Sequence, residues 1–141
     1  NKIIILDVIR LQASPAQVVA KIIATAKADG AATLVAIPQD PGQAGMAQVA
    51  MLTSGLLGYQ VKATLESGPK IIRAMPAATQ MDAGNIGLLA APWNENFLRE
   101  LQAFPDSDKD DQVDALSRAV NTLTTTSVTP TRRLNVPLLE R

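Results

Sequence analysis

The run KIIILDVIRL, residues 2–11, places the tightest limit on what this chain can fold into. It is β-branched and almost continuously apolar, which predicts a strand buried on both faces. Ser14-Pro15 follows, an N-cap and then proline at the first helical position. Val18, Val19, Ile22, Ile23 and Ala26 then share one helical face, and Gly30 stops the helix. Residues 32–37, ATLVAI, read as a second strand, short and apolar in the manner of a parallel sheet. A chain that alternates in this way belongs to the α/β class.

The rest keeps the rhythm. Pro38-Gln39-Asp40-Pro41-Gly42 is a rigid loop, which sets Asp40 just past the carboxyl end of a strand. Open α/β sheets bind ligands at that end, although an Asp beside Pro-Gly also serves turn chemistry. Residues 44–57 are helical, with Met46 and Met51 read as core and Gly58 as the stop. Residues 59–65 alternate as a half-exposed strand. Ser67-Gly68-Pro69 leads into a helix carrying Lys70 and Arg73, which Pro76 is expected to kink or interrupt and Gly84 to end. Lys70 and Arg73 share a face that suits a phosphate or simply water. Residues 86–90 give a last short strand. Trp93 is read as a lid on the core at the head of helix 95–103, with Phe97, Leu98 and Leu101 inward. The final helix, 110–123, has Val113, Leu116, Ala119, Val120 and Leu123 as its expected buried stripe. The domain is drawn at residues 1–122, and the Thr- and Pro-rich residues 123–141 as a tail or linker in which Arg132 and Arg133 touch a partner.

Composition narrows the chemistry. The 141 residues fit one domain with a substantial core. There is no cysteine and no histidine, which excludes disulfides, thiolate metal sites, His-ligated zinc and Ser-His-Asp or Cys-His catalysis. Any enzyme built from this sequence works with carboxylates, lysine, hydroxyls and metal. The formal net charge is zero, so contact with nucleic acid needs a local basic patch. No apolar run is long enough to span a bilayer, and no signal peptide is visible.

One stretch stands out chemically. FPDSDKDDQVDAL, residues 104–116, carries Asp106, Asp108, Asp110, Asp111 and Asp114, five of the thirteen acidic residues. On a helix, Asp114 neighbours both Asp110 and Asp111. Such carboxylates repel one another, and a hard divalent cation relieves that repulsion. The competing reading is a solvated helix start, where Asp is favoured by capping and by the macrodipole. An EF-hand loop is set aside, because Asp111 and Ser117 stand where it needs Gly and Glu. Asp7 interrupts the first strand and reads as a residue near its exposed end, with a ligand role as the lesser alternative.

In combination, IPQDPGQAG, the KIIRAMP segment, PWNENF and DDQVDALSRA resemble the C-terminal nuclease domain of the large terminase subunit of tailed phages. The resemblance covers residues 3 to about 121. It implies an RNase H-like fold, a mixed sheet flanked by helices, and metal-dependent endonuclease activity on concatemeric double-stranded DNA during genome packaging. It further implies two Mg²⁺ or Mn²⁺ ions. By the resemblance, Asp40 and Asp111 are the catalytic metal ligands, with Asp110 and Asp114 as adjacent candidates, and Lys70 and Arg73 contact the DNA backbone. Implied partners are double-stranded DNA, the terminase ATPase domain, the portal and the small terminase subunit, in the cytoplasm of a host carrying the phage or prophage, with no membrane.

The pattern departs from the family in one respect. KIIILDVI matches the family's third strand, so the first two strands, and the first catalytic Asp with them, are expected upstream of Asn1. In such a sheet the first strand lies centrally, and its absence would leave unpaired edges. No G-x-x-x-x-G-K-[ST] loop is present, so ATP hydrolysis is not expected of these residues. Two other readings stand beside this one: another RNase H-like nuclease such as a Holliday-junction resolvase, and a non-catalytic docking module whose acidic helix is merely solvated.

Overall fold

A computed structural model describes residues 2–125; Arg132 and Arg133 lie outside the described residues. In chain order the elements are β1 (Ile3–Ile5), α1 (Pro15–Asp29), β2 (Leu34–Gln39), α2 (Gln43–Gly55), β3 (Gln60–Leu65), α3 (Lys70–Asp82), β4 (Ile86–Leu88), α4 (Asn94–Ala103) and α5 (Asp111–Thr125). The strands form two parallel ladders. β1 pairs with β4, setting Ile3 opposite Ile86 and Ile5 opposite Leu88. β2 pairs with β3, from Leu34 opposite Gln60 to Gln39 opposite Leu65. Among the described residues no ladder bond joins the two pairs. Because each pair is parallel, its strands end on the same edge, and the loops that follow gather there.

Each ladder has its own core. Val19 of α1, Ile37 of β2 and Leu52 of α2 are buried together, with Ile22, Ile23, Val35, Val49 and Val61 packed around them. Ala77 of α3, Phe97 of α4 and Leu116 and Val120 of α5 form the other core, against Ile3, Ile5, Ile86 and Leu88. Trp93 meets Phe97 edge to face at 5.8 Å between ring centroids and closes this second core, as the sequence predicts. Helix α5 packs on α3 and α4 and also touches β2, so it joins the two halves.

Local signals explain most element ends. The Ser14 hydroxyl accepts from the Gln17 amide while the Gln17 side chain accepts from the Ser14 amide, a complete capping box with Pro15 in the first turn. Gly30 ends α1 with its amide donating 3.0 Å to the Ala26 carbonyl, at a φ of +90° that favours glycine.

Several expectations are corrected. The run 2–11 is a strand only over Ile3–Ile5; beyond it the chain is irregular, Val8 packs against the core, and Leu6, Ile9 and Leu11 face outward, Leu6 being 67% exposed. Its one ladder partner among the described residues, β4, is three residues long, so the backbone past Ile5 has nothing to pair with. Met46 and Met51 are exposed, Met51 by 57%, because α2 buries the face carrying Gly45 and Leu52 instead. Pro76 does not break α3. Its missing amide spares a bond to Ile72, and both residues lie on the exposed side, where water hydrates the freed carbonyl. Pro38 sits inside β2 rather than ending it; with a ladder neighbour on one side alone, the strand tolerates the lost donor. On α5, Ala119 and Leu123 are exposed, while Gln112, Ser117 and Thr122 are buried. Leu98 of α4 is likewise exposed.

One contact fixes the loop after β2. A Cβ on Gly45 would lie 2.0 Å from the backbone oxygen of Asp40, so α2 approaches that loop as closely as a bare backbone allows. Gly45→Ala is therefore expected to destabilise the domain by about 1–3 kcal/mol, read as a lowered urea midpoint at unchanged slope.

Candidate active site

The carboxyl edge of the β2–β3 ladder faces the first turns of α3 and α5. The Glu66 amide donates 3.2 Å to the Gln39 carbonyl, which carries the ladder one step further and sets Glu66 beside the residue preceding Asp40. The Glu66 carboxylate accepts from Arg118 of α5, with 2.9 Å to its Nε and a second contact to its Nη2, and from Arg73 of α3 at 3.5 Å. Arg73 also donates to Asp114 Oδ1 at 2.9 Å and to the Gly68 carbonyl at 2.8 Å. Lys70 Nζ closes the series, 2.7 Å from Asp110 Oδ1 and 2.9 Å from Asp114 Oδ2. The charges alternate Arg118, Glu66, Arg73, Asp114, Lys70, Asp110, and they balance.

The structure thus brings together four residues singled out in the sequence, Lys70, Arg73, Asp110 and Asp114, as partners of one another. The two acids pushed to bind cations are already held by the two cations considered for phosphate. Hydrogen bonds to Asp110 and then Asp114 hold the Lys70 ammonium above its ordinary range, at about 12. A raised lysine pKa stabilises the fold fully below the unfolded value near 10.5, and that contribution is lost as pH rises through 12. Lys70 is 45% exposed, so solvent screens the pair and its share of stability is small.

Asp111 lies apart from this network. One residue along a helix turns about 100°, which takes its side chain off the Asp110–Asp114 face. It lines a cleft of about 1070 Å³ together with Asp7, Arg10, Lys109 and Ala115. Asp7 follows the carboxyl end of β1, its carboxylate accepting from the Val8 amide at 2.8 Å. The start of α5 therefore stands between the carboxyl edges of both ladders. Asp111 is exposed and has no side-chain partner among the described residues; the same is true of Asp40. Asp40 does not line the Asp111 cleft but follows Gln39 at the β2 edge, where the Gln39 carbonyl accepts from the Glu66 amide. Among the described residues, no three acidic side chains gather closely enough to hold an ion.

Reasoning from sequence missed Glu66, Arg118 and Glu100. Glu100 of α4 is 8% exposed, and its carboxylate accepts from both the backbone amide, at 2.6 Å, and the side-chain amide of Gln112. The spacing of Arg118 four residues after Asp114 suggests a pair within α5, but Arg118 reaches Glu66 instead.

A family described as a terminase RNase H-like domain matches residues 4–123. The chain belongs to the terminase RNase H-like domain family. Neither the curated proteins nor the solved structures gave a match. Membership agrees with the mixed α/β architecture and gives the domain a nuclease-type role in phage packaging. RNase H-like nucleases typically use divalent metals, and terminases work on DNA together with packaging machinery. Among the described residues no helix is long and apolar enough to cross a membrane.

Removing single members tests the charge network. Lys70→Met is expected to cost about 0.5–1 kcal/mol at neutral pH, since the pair is half in water. Arg73→Met, which strips a donor from both Asp114 and Glu66, is expected to cost more, about 1–3 kcal/mol. Urea unfolding checks both. The gap between Lys70→Met and the parent should close as pH is raised from 10.5 through 12.

Proposed function

We propose that this domain is a metal-dependent endonuclease that cuts concatemeric double-stranded DNA during genome packaging, with Asp40 and Asp111 as its metal-ligating catalytic residues. The observation that carries the reading is the contrast along the first turn of α5. Asp110 and Asp114 are engaged by Lys70 and Arg73, whereas Asp111 projects unpartnered into an open cleft. Asp40 is equally unpartnered, at the strand edge where α/β sheets place ligands.

The donor chemistry fits Mg²⁺ or Mn²⁺. Both residues offer hard carboxylate oxygens, and Mg²⁺ is commonly held by one or two carboxylates, water and substrate phosphate. A bound pair of such ions supplies an activated water and stabilises charge on the leaving oxygen, chemistry that needs no histidine or cysteine. The chain's own part is to hold these carboxylates in place. The Gly45 contact fixes the Asp40 loop, and the charge network fixes the start of α5. Lys70, half exposed beside this edge, is positioned to meet a DNA phosphate by exchanging one of its two carboxylate contacts.

On this reading the DNA is presented by the ATPase domain, portal and small terminase subunit in the host cytoplasm. The test is Mn²⁺-dependent nicking of supercoiled plasmid by the protein. Asp40→Ala and Asp111→Ala should each lower the rate at least about 100-fold, which is the order expected when a metal ligand is lost. Asp110→Asn should cost far less. If both alanine variants cut as well as the parent, the assignment fails.

A further inference from the structure

Glu100 has no place in the chemistry above, yet it is a buried carboxylate. Helix α5 begins at Asp111, so Asp110 is the residue whose side chain would ordinarily cap its first amides. That side chain is turned to Lys70 instead. The exposed amide end of α5 is capped from another helix: Glu100 of α4 accepts from the Gln112 backbone amide at 2.6 Å and also from the Gln112 side chain. A negative carboxylate at a helix start also matches the positive end of the macrodipole.

Asp111 is consequently bracketed. The residue before it is tied to Lys70 and the residue after it to Glu100. With both neighbours held, the backbone of Asp111 has little freedom to turn its carboxylate away from the cleft. We infer that Glu100 is a positioning residue for the metal site: by capping α5 across the α4–α5 contact, it fixes the direction in which Asp111 presents its oxygens to a divalent cation. This rests on the reading of Asp111 as a metal ligand.

The Glu100 cap acts chiefly through hydrogen-bond acceptance, so variants that keep or remove acceptors serve as controls. In Glu100→Gln the amide oxygen still accepts from the Gln112 backbone, and the Gln112 side chain can rotate its own oxygen toward the new amide. Glu100→Met keeps the volume but leaves both Gln112 donors without an acceptor. Gln112→Met keeps the backbone bond and removes only the side-chain one.

Mn²⁺ binding to the full chain is measured without DNA by electron paramagnetic resonance, and nicking is measured alongside. Glu100→Met is expected to weaken Mn²⁺ binding about 10-fold and lower kcat similarly with KM for DNA unchanged, as for lost outer partners of metal ligands. Gln112→Met should show a smaller weakening in the same direction, which keeps the test decisive if Glu100→Met fails to fold. Glu100→Gln should bind within about twofold of the parent, because the Gln112 backbone amide keeps its acceptor and the side-chain bond re-forms with donor and acceptor exchanged. A folded Glu100→Met or Gln112→Met that binds Mn²⁺ like the parent overturns the inference. So does Glu100→Gln binding as poorly as Glu100→Met. Asp111→Asn separates the two layers: it should lose Mn²⁺ whatever Glu100 does. If it binds normally, the ligand assignment itself falls, and the inference with it.

Discussion

The anchoring of α5's first turn is the constraint on which this domain depends. Three cations and three carboxylates alternate across the end of β3 and the starts of α3 and α5, so every ion has an opposite neighbour. Taking such groups partly out of water is expensive, and their mutual attraction roughly offsets that cost only while the set is complete. The balance makes the network a weak source of net stability and a strong source of geometry. Any other rotation of α5 would leave an odd charge at a half-buried edge.

This geometry sorts the acidic stretch into two kinds of residue. Asp110 and Asp114 are engaged in ion pairs, while Asp111 between them is exposed and has no side-chain partner among the described residues. Sequence spacing cannot make that distinction, because all three sit in one helical turn and look alike. The difference arises from where Lys70 and Arg73 arrive, which is set by the β3–α3 turn forty residues earlier.

What was legible in the sequence was local. The Ser14 cap, the Gly30 stop and the turn at Asp40-Pro41-Gly42 are encoded within a few residues, and the structure keeps them. The family likeness was legible too, since it rests on short motifs in a fixed order. Features that depend on distant partners were not. Residues 6–11 read as buried strand because apolarity says nothing about whether a neighbouring strand exists. The buried stripe of α5 was misdrawn by following apolar type. Ser117 is buried at little cost because its hydroxyl donates to the Val113 carbonyl one turn back, and Gln112 because Glu100 receives it. The Glu66–Arg118 pair joins residues fifty-two positions apart, and no window along the chain reveals it.

The separate cores have a consequence for how a signal would travel. Two ladders that share no backbone bonds among the described residues cannot pass strain through a continuous sheet there. Helix α5 is the member common to both sides, packed in one core and touching β2 of the other half. A ligand that tugs on its first turn would therefore be felt by both halves simultaneously, with the helix serving as an axle rather than the sheet as a plate.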